Sequence, residues 1–166
     1  MLEKQAKIAY ISIGSNLGNK KKNIELSKYF LERKDIKVIK VSNMFESLSW
    51  PNPKKPKFIN IVIKIKTILS PLNLMKICLD IEKSLGRKRS NKNEPRTCDI
   101  DIVDYDKKII NKKNLILPHP QMHKRNFVLL PFFEINKTWI HPLKKTTIKK
   151  LLNSIKESDL MSIKLI

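Results

Sequence analysis

The chain has 166 residues, 41% of them apolar, which is enough for one domain with a full core. Its formal charge of +20 raises nucleic-acid binding as a class, yet no basic block is longer than Lys20-Lys21-Lys22 and no arginine-rich helix or aromatic-studded basic strand stands out. No apolar run approaches membrane-spanning length and the first residues lack a signal peptide's apolar centre, so a single cytoplasmic domain over residues 1–166, working as a monomer, is expected.

Residues 7–13 form an apolar run of the kind a central strand makes, ending at Gly14-Ser15-Asn16. Residues 23–33 space Ile24, Leu26, Tyr29, Phe30 and Leu31 as an amphipathic helix, and 36–42 with 44–45 return to a strand pattern. Pro51, Pro53 and Pro56 make 47–57 a stiff, irregular loop. Residues 58–67 alternate strictly, with Ile59, Ile61, Ile63 and Ile65 on one face and Phe58, Asn60, Val62 and Lys64 on the other. Ser70-Pro71 pairs an N-cap with proline at the first helical position, and the helix it opens stops at Gly86.

A polar loop covers 87–95; residues 98–105 read as a strand and 107–110 as a short partner for it. A helix over 126–135 follows Pro118-His119-Pro120, and a last one covers 148–155. The order β-α-β-β-α-β with C-terminal additions predicts an α+β, ferredoxin-like domain, an antiparallel sheet covered by helices. With only three glycines in the chain, Gly14 and Gly86 mark places where a side chain does not go. Cys78 and Cys98 have no metal-ligand spacing and read as buried small residues of a reduced compartment.

The chemistry concentrates in Arg96-Thr97-Cys98-Asp99-Ile100-Asp101. In a strand, Asp99 and Asp101 project from the same face, and two such carboxylates call for a cation between them. Lysine is the default surface cation here, so arginine is the informative one: four of the five (Arg87, Arg89, Arg96, Arg125) fall within 39 residues. Its planar fork grips phosphate bidentately and stays charged. Trp50, Phe58 and Asn60 combine aromatic surface with one amide, which suits a planar heterocycle; ordinary core fits Phe58 equally well. Gly14-Ser15-Asn16-Leu17-Gly18 lacks the spacing of a P-loop and serves either as a plain turn or to bring backbone amides near an anion. His119, held between two prolines, either donates to a phosphate or carries a proton.

Tyr-Ile-Ser-Ile-Gly-Ser-Asn-Leu-Gly, Phe-Ile-Asn, Leu-Gly-Arg, Pro-Arg-Thr-Cys-Asp-Ile-Asp-Ile and Pro-His-Pro followed by Arg-Asn-Phe-Val-Leu occur in collinear order from about Ala9 to Ile135. On these motifs the chain resembles the 6-hydroxymethyl-7,8-dihydropterin pyrophosphokinases of folate biosynthesis. The resemblance implies transfer of diphosphate from ATP to the hydroxymethyl group of the pterin, with AMP leaving. It implies that Asp99 and Asp101 hold two Mg²⁺ ions and act with Arg87 and Arg96 as the catalytic set. Arg87, Arg89, Arg96, His119 and Arg125 would then contact the triphosphate, with Glu82 on the nucleotide side. Ser47, Leu48, Trp50, Phe58, Asn60 and Phe127 would frame the pterin, Phe127 stacking on its ring, and the 87–95 loop would close over ATP. One departure stands out: Glu94 precedes the Pro-Arg pair where the family usually has glycine or alanine. The alternative reading is a basic nucleic-acid-binding module without catalysis.

Overall fold

The strand β1 (Lys7–Ser15) is the middle of the sheet because it is apolar enough to be buried on both faces. It pairs antiparallel with β4 (Phe58–Thr67) on one side and β5 (Asp99–Tyr105) on the other. In this computed structural model, which describes residues 5–88 and 92–166, β2 (Lys37–Val41) and β3 (Phe45–Ser47) both pair with β4. They are two halves of one edge strand, broken at Ser42, whose Oγ accepts the Val62 N–H at 3.0 Å. Taken so, the spatial order is last, first, third, second, the ferredoxin-like order expected from the sequence. A two-residue strand, β8 (Lys164–Leu165), extends the sheet beyond β3.

Two helices, α1 (Lys20–Glu32) and α2 (Pro71–Ser84), cover one face. Ile24 and Leu31 of α1 and Leu74, Cys78 and Ile81 of α2 pack on Ile11, Ile13, Ile61, Ile63, Ile100 and Ile102, the inward positions of the alternating strands. The other face carries α3 (Asn126–Ile135) and α4 (Ile148–Asn153). There Phe132 of α3 stacks at 4.5 Å on Tyr10 and at 4.7 Å on Trp139, with Val62 and Val103 beneath. Toward the start of β1 this second face is filled with core; toward its end it is left open, and the cleft forms there. Cys98 lies against Ser27, 3.1 Å away, and burial pushes its thiol up to about 12; Cys78 is as fully buried and its thiol is pushed up as well, so neither is a nucleophile.

Two features depart from the sequence reading. Residues 107–110 do not pair with β5: Asp106 and Lys107 both take left-handed φ (51° and 55°), which turns the chain away. The chain then makes a separate hairpin, β6 (Ile110–Lys112) with β7 (Leu115–Leu117). The last segment also holds a short helix, α5 (Glu157–Ser162), which the sequence pattern did not announce. Among the described residues no helix is long and apolar enough to cross a membrane.

Candidate active site

The strand register builds the floor. Gly14 of β1 lies opposite Asn60 in β4 and Asp99 in β5, and Ser12 lies opposite Val62 and Asp101. Phe58, Asn60, Gly14, Asp99 and Asp101 therefore share the face that α3 leaves open. Gly14 is there for space: a Cβ on it would stand 2.7 Å from Asn60 Oδ1 and 3.4 Å from the Phe58 ring. The Asn60 side chain lies across the bare backbone and donates from Nδ2 to Ser47 Oγ at 2.8 Å.

Arg87 arrives through the end of α2. Gly86 takes φ +82°, its N–H donates to Lys83 O, and the Arg87 N–H reaches back to Glu82 O at 3.0 Å. That double bond with a left-handed glycine is a Schellman turn, and it throws Arg87 back across the sheet. Its Nη1 pairs with Asp99 at 2.8 Å and with the buried carboxylate of Glu82. Glu82 in turn accepts the Ile100 N–H at 2.7 Å. It does not line the cleft; it sits behind it, fixing Arg87 to β5.

Arg96 Nη1 makes a second contact with Asp99, at 3.2 Å. Asp101 is served less well, with Arg125 and His119 both at 3.7 Å. Its carboxyl, although 37% of the side chain faces the cleft, is pushed up to about 7 by burial, with the neighbouring Asp99 charge adding to the effect and Arg125 opposing it. Unrelieved negative charge on Asp101 is what a bound cation would neutralise.

His119 is fixed on every side. Its N–H donates to Val103 O at 2.9 Å, its carbonyl accepts from Met122, and Nδ1 accepts the Gln121 N–H at 3.2 Å. The remaining proton therefore sits on Nε2, which faces Asp101. Burial, together with Arg125, pushes this imidazole down to about 4, so it is a neutral donor rather than a proton carrier near neutrality. Arg125 opens α3, its carbonyl accepting from Val128 and Leu129, and its guanidinium lies 5.6 Å from the Phe127 ring centre.

These groups meet in a cleft of about 240 Å³. It is lined by every residue expected from the sequence except Glu82, which stands behind it, and Arg89, which lies outside the described residues, as does the centre of the expected lid. A larger hollow of about 420 Å³ shares Leu48, Trp50, Arg125 and Phe127 but contains neither Asp99 nor Asp101, so the expected site residues converge on the smaller one. Trp50, 65% exposed, stands on the wall between them.

Sequence reasoning missed two residues. Asn16, read there as part of a segment that either turns the chain or offers backbone amides to an anion, is buried and uses its backbone N–H on Arg96 O, leaving that amide unavailable to an anion. Lys55 donates to Glu94 at 2.8 Å and to Asn93 O at 3.0 Å, so the unusual acid is paired with the proline-rich loop. Nothing local in the sequence distinguishes Lys55 from the other lysines.

A domain with this sheet order, a carboxylate pair on its last strand and arginines converging on it belongs with phosphoryl-transfer proteins. The profile of the 7,8-dihydro-6-hydroxymethylpterin-pyrophosphokinase family matches residues 10–137, and the chain belongs to that family. The 2-amino-4-hydroxy-6-hydroxymethyldihydropteridine pyrophosphokinase of Aquifex aeolicus is 37% identical over 85% of this chain and 88% of its own. The folic acid synthesis protein fol1 of Pneumocystis carinii is 40% identical over 93% of this chain, which spans only 21% of that longer protein. A Plasmodium falciparum HPPK-DHPS crystal structure with pterin and p-hydroxybenzoate shares the fold, with a TM-score of 0.78 and 16% identity over 99% of this chain and 48% of that one.

Proposed function

We propose that the protein transfers the terminal diphosphate of ATP to the hydroxymethyl group of 6-hydroxymethyl-7,8-dihydropterin in folate biosynthesis, acting as a cytoplasmic monomer. One observation carries this reading: Asn60 and Phe58 on β4, and Asp99 and Asp101 on β5, face one cleft across the bare backbone of Gly14. A planar ring held at the Asn60 end by its amide, and by Phe127 against its face, presents its side-chain hydroxyl toward the carboxylate end. The hydroxyl oxygen bonds to the β-phosphorus as the bridging bond to the α-phosphate breaks; AMP leaves with that electron pair, and the hydroxyl proton passes to solvent.

Arg87, Arg96 and Arg125 orient the triphosphate and balance its charge, and the Nε2–H of His119 donates to a phosphate oxygen. The donor set suits Mg²⁺: Asp99 and Asp101 are hard oxygen ligands. Two carboxylates leave room for the phosphate oxygens and water that Mg²⁺ prefers. When bound, the metal supplies charge neutralisation on the triphosphate.

The same carboxylates argue against the nucleic-acid-binding alternative, because they would repel a phosphodiester backbone that brought no metal. Asp101→Ala and Asp99→Ala test the assignment. Each should lower pterin-dependent AMP release by roughly a thousandfold or more, the equivalent of several kcal/mol of barrier. Turnover within about tenfold of the unaltered protein would remove the carboxylates from the chemistry.

A further inference from the structure

We propose that Asn16 is a positioning residue, whose single side chain locks the Arg96 backbone and ties it to the loop that carries Trp50. The inference rests on the reading of the cleft as a site of diphosphate transfer and adds a residue that stands outside it. Asn16 is 4% exposed and belongs to neither β1 nor α1, whose N-cap is Asn19. Its Oδ1 accepts the Arg96 N–H at 2.8 Å, and its own N–H donates to Arg96 O at 3.1 Å, closing a ring between two segments 80 residues apart. From Nδ2 it donates to Pro56 O at 3.1 Å and to Ser49 Oγ at 3.3 Å, and Ser49 Oγ donates to the same Pro56 carbonyl at 2.6 Å.

Only an amide suits this place. It must accept on one side and donate twice on the other. Arg96 lies in a stretch with no helix or strand, so ladder hydrogen bonds do not hold its backbone. Its fork reaches Asp99 only if the main chain stays where Asn16 puts it. Displacing a phosphate-orienting group by about 1 Å is enough to cost on the order of a hundredfold in rate.

The test is a double-mutant cycle with Asn16→Ala and Arg96→Ala, read as calorimetric affinity for a non-hydrolysable ATP analogue with Mg²⁺ and as AMP release. Asn16→Ala should weaken analogue binding and lower kcat/KM for ATP by roughly ten- to a hundredfold, while in the Arg96→Ala background it should cost no more than about twofold. Equal costs in both backgrounds would mean that Asn16 merely stabilises the fold, and would overturn the proposal. Wild-type protein that binds the analogue but forms no AMP would instead refute the transfer reading, leaving the binding cycle to judge Asn16. Should Asn16→Ala not fold, hydrogen exchange in wild-type protein decides: the Arg96 amide must be protected without nucleotide, and exchange at the unprotected rate would overturn the lock.

Discussion

Gly14 shows how a residue with no side chain shapes a binding site. Adding one methyl group there collides with Asn60 Oδ1 at 2.7 Å and forces the amide off its Ser47 contact. Gly14→Ala should therefore weaken pterin binding by about tenfold or more, as expected for loss of a buried polar contact, while ATP-analogue affinity holds. Calorimetry finding both affinities unchanged would mean that Asn60 does not read the ring. A second residue-scale expectation lies away from the cleft. His141 Nδ1 accepts the N–H groups of Leu143 and Lys144 at 3.3 and 3.1 Å, and burial, with His123 and Lys144 nearby, pushes its imidazole down to about 4. The unfolded chain protonates this group near pH 6.5, so its contribution to stability is complete above about 6.5 and is lost as pH falls toward 4. Asn mimics the Nδ1 acceptor without titrating, and His141→Asn should flatten the decline of Tm between those values; parallel Tm curves for the two proteins would contradict this. At this scale Asp99, Asp101 and the arginines were legible because alternation and scarcity mark them. Asn16 was not, since its partners lie 33, 40 and 80 residues away.

At the scale of elements, the strongest sequence signals were those with a local cause. Ser70 caps α2 by accepting the Asn73 N–H at 3.2 Å, and Gly86 ends it, both as the turn chemistry required. Gly86 differs from Gly14 in kind: nothing lies within 4 Å of a Cβ there, and only its φ of +82° demands glycine. Gly86→Ala should cost about 1 kcal/mol of stability in denaturant unfolding and, by re-aiming Arg87, raise KM for ATP. A stability loss with KM unchanged would show that Arg87 finds Asp99 without the turn. Elements without a local cause were misread. The β6–β7 hairpin hid in a lysine-rich stretch because left-handed turns at Asp106 and Lys107 carry no glycine. The Lys55–Glu94 pair is partly exposed, so Glu94→Gln should change ATP affinity by no more than about threefold, consistent with the modest worth of such pairs. A larger change, measured by calorimetry, would mean that the two loops depend on it.

For the whole molecule, the ferredoxin-like order follows from two properties of the chain. Apolar β1 must be central, and β4 offers one apolar and one mixed face. That asymmetry fills one side with α1 and α2 and leaves a cleft beside α3 on the other. The +20 charge is carried mostly by lysines at exposed positions such as Lys21, Lys22, Lys34, Lys37 and Lys66, while the cleft is furnished with arginine. Charge and chemistry are thus separated by residue type. The central claim is attack at the β-phosphorus of ATP by a pterin alcohol, and ³¹P NMR of the products tests it most directly. Incubation with ATP, Mg²⁺ and 6-hydroxymethyl-7,8-dihydropterin should give AMP and a pterin diphosphate ester in equal amounts, with neither formed when the pterin is left out. ADP with a pterin monophosphate, or AMP released equally without the pterin, would contradict it.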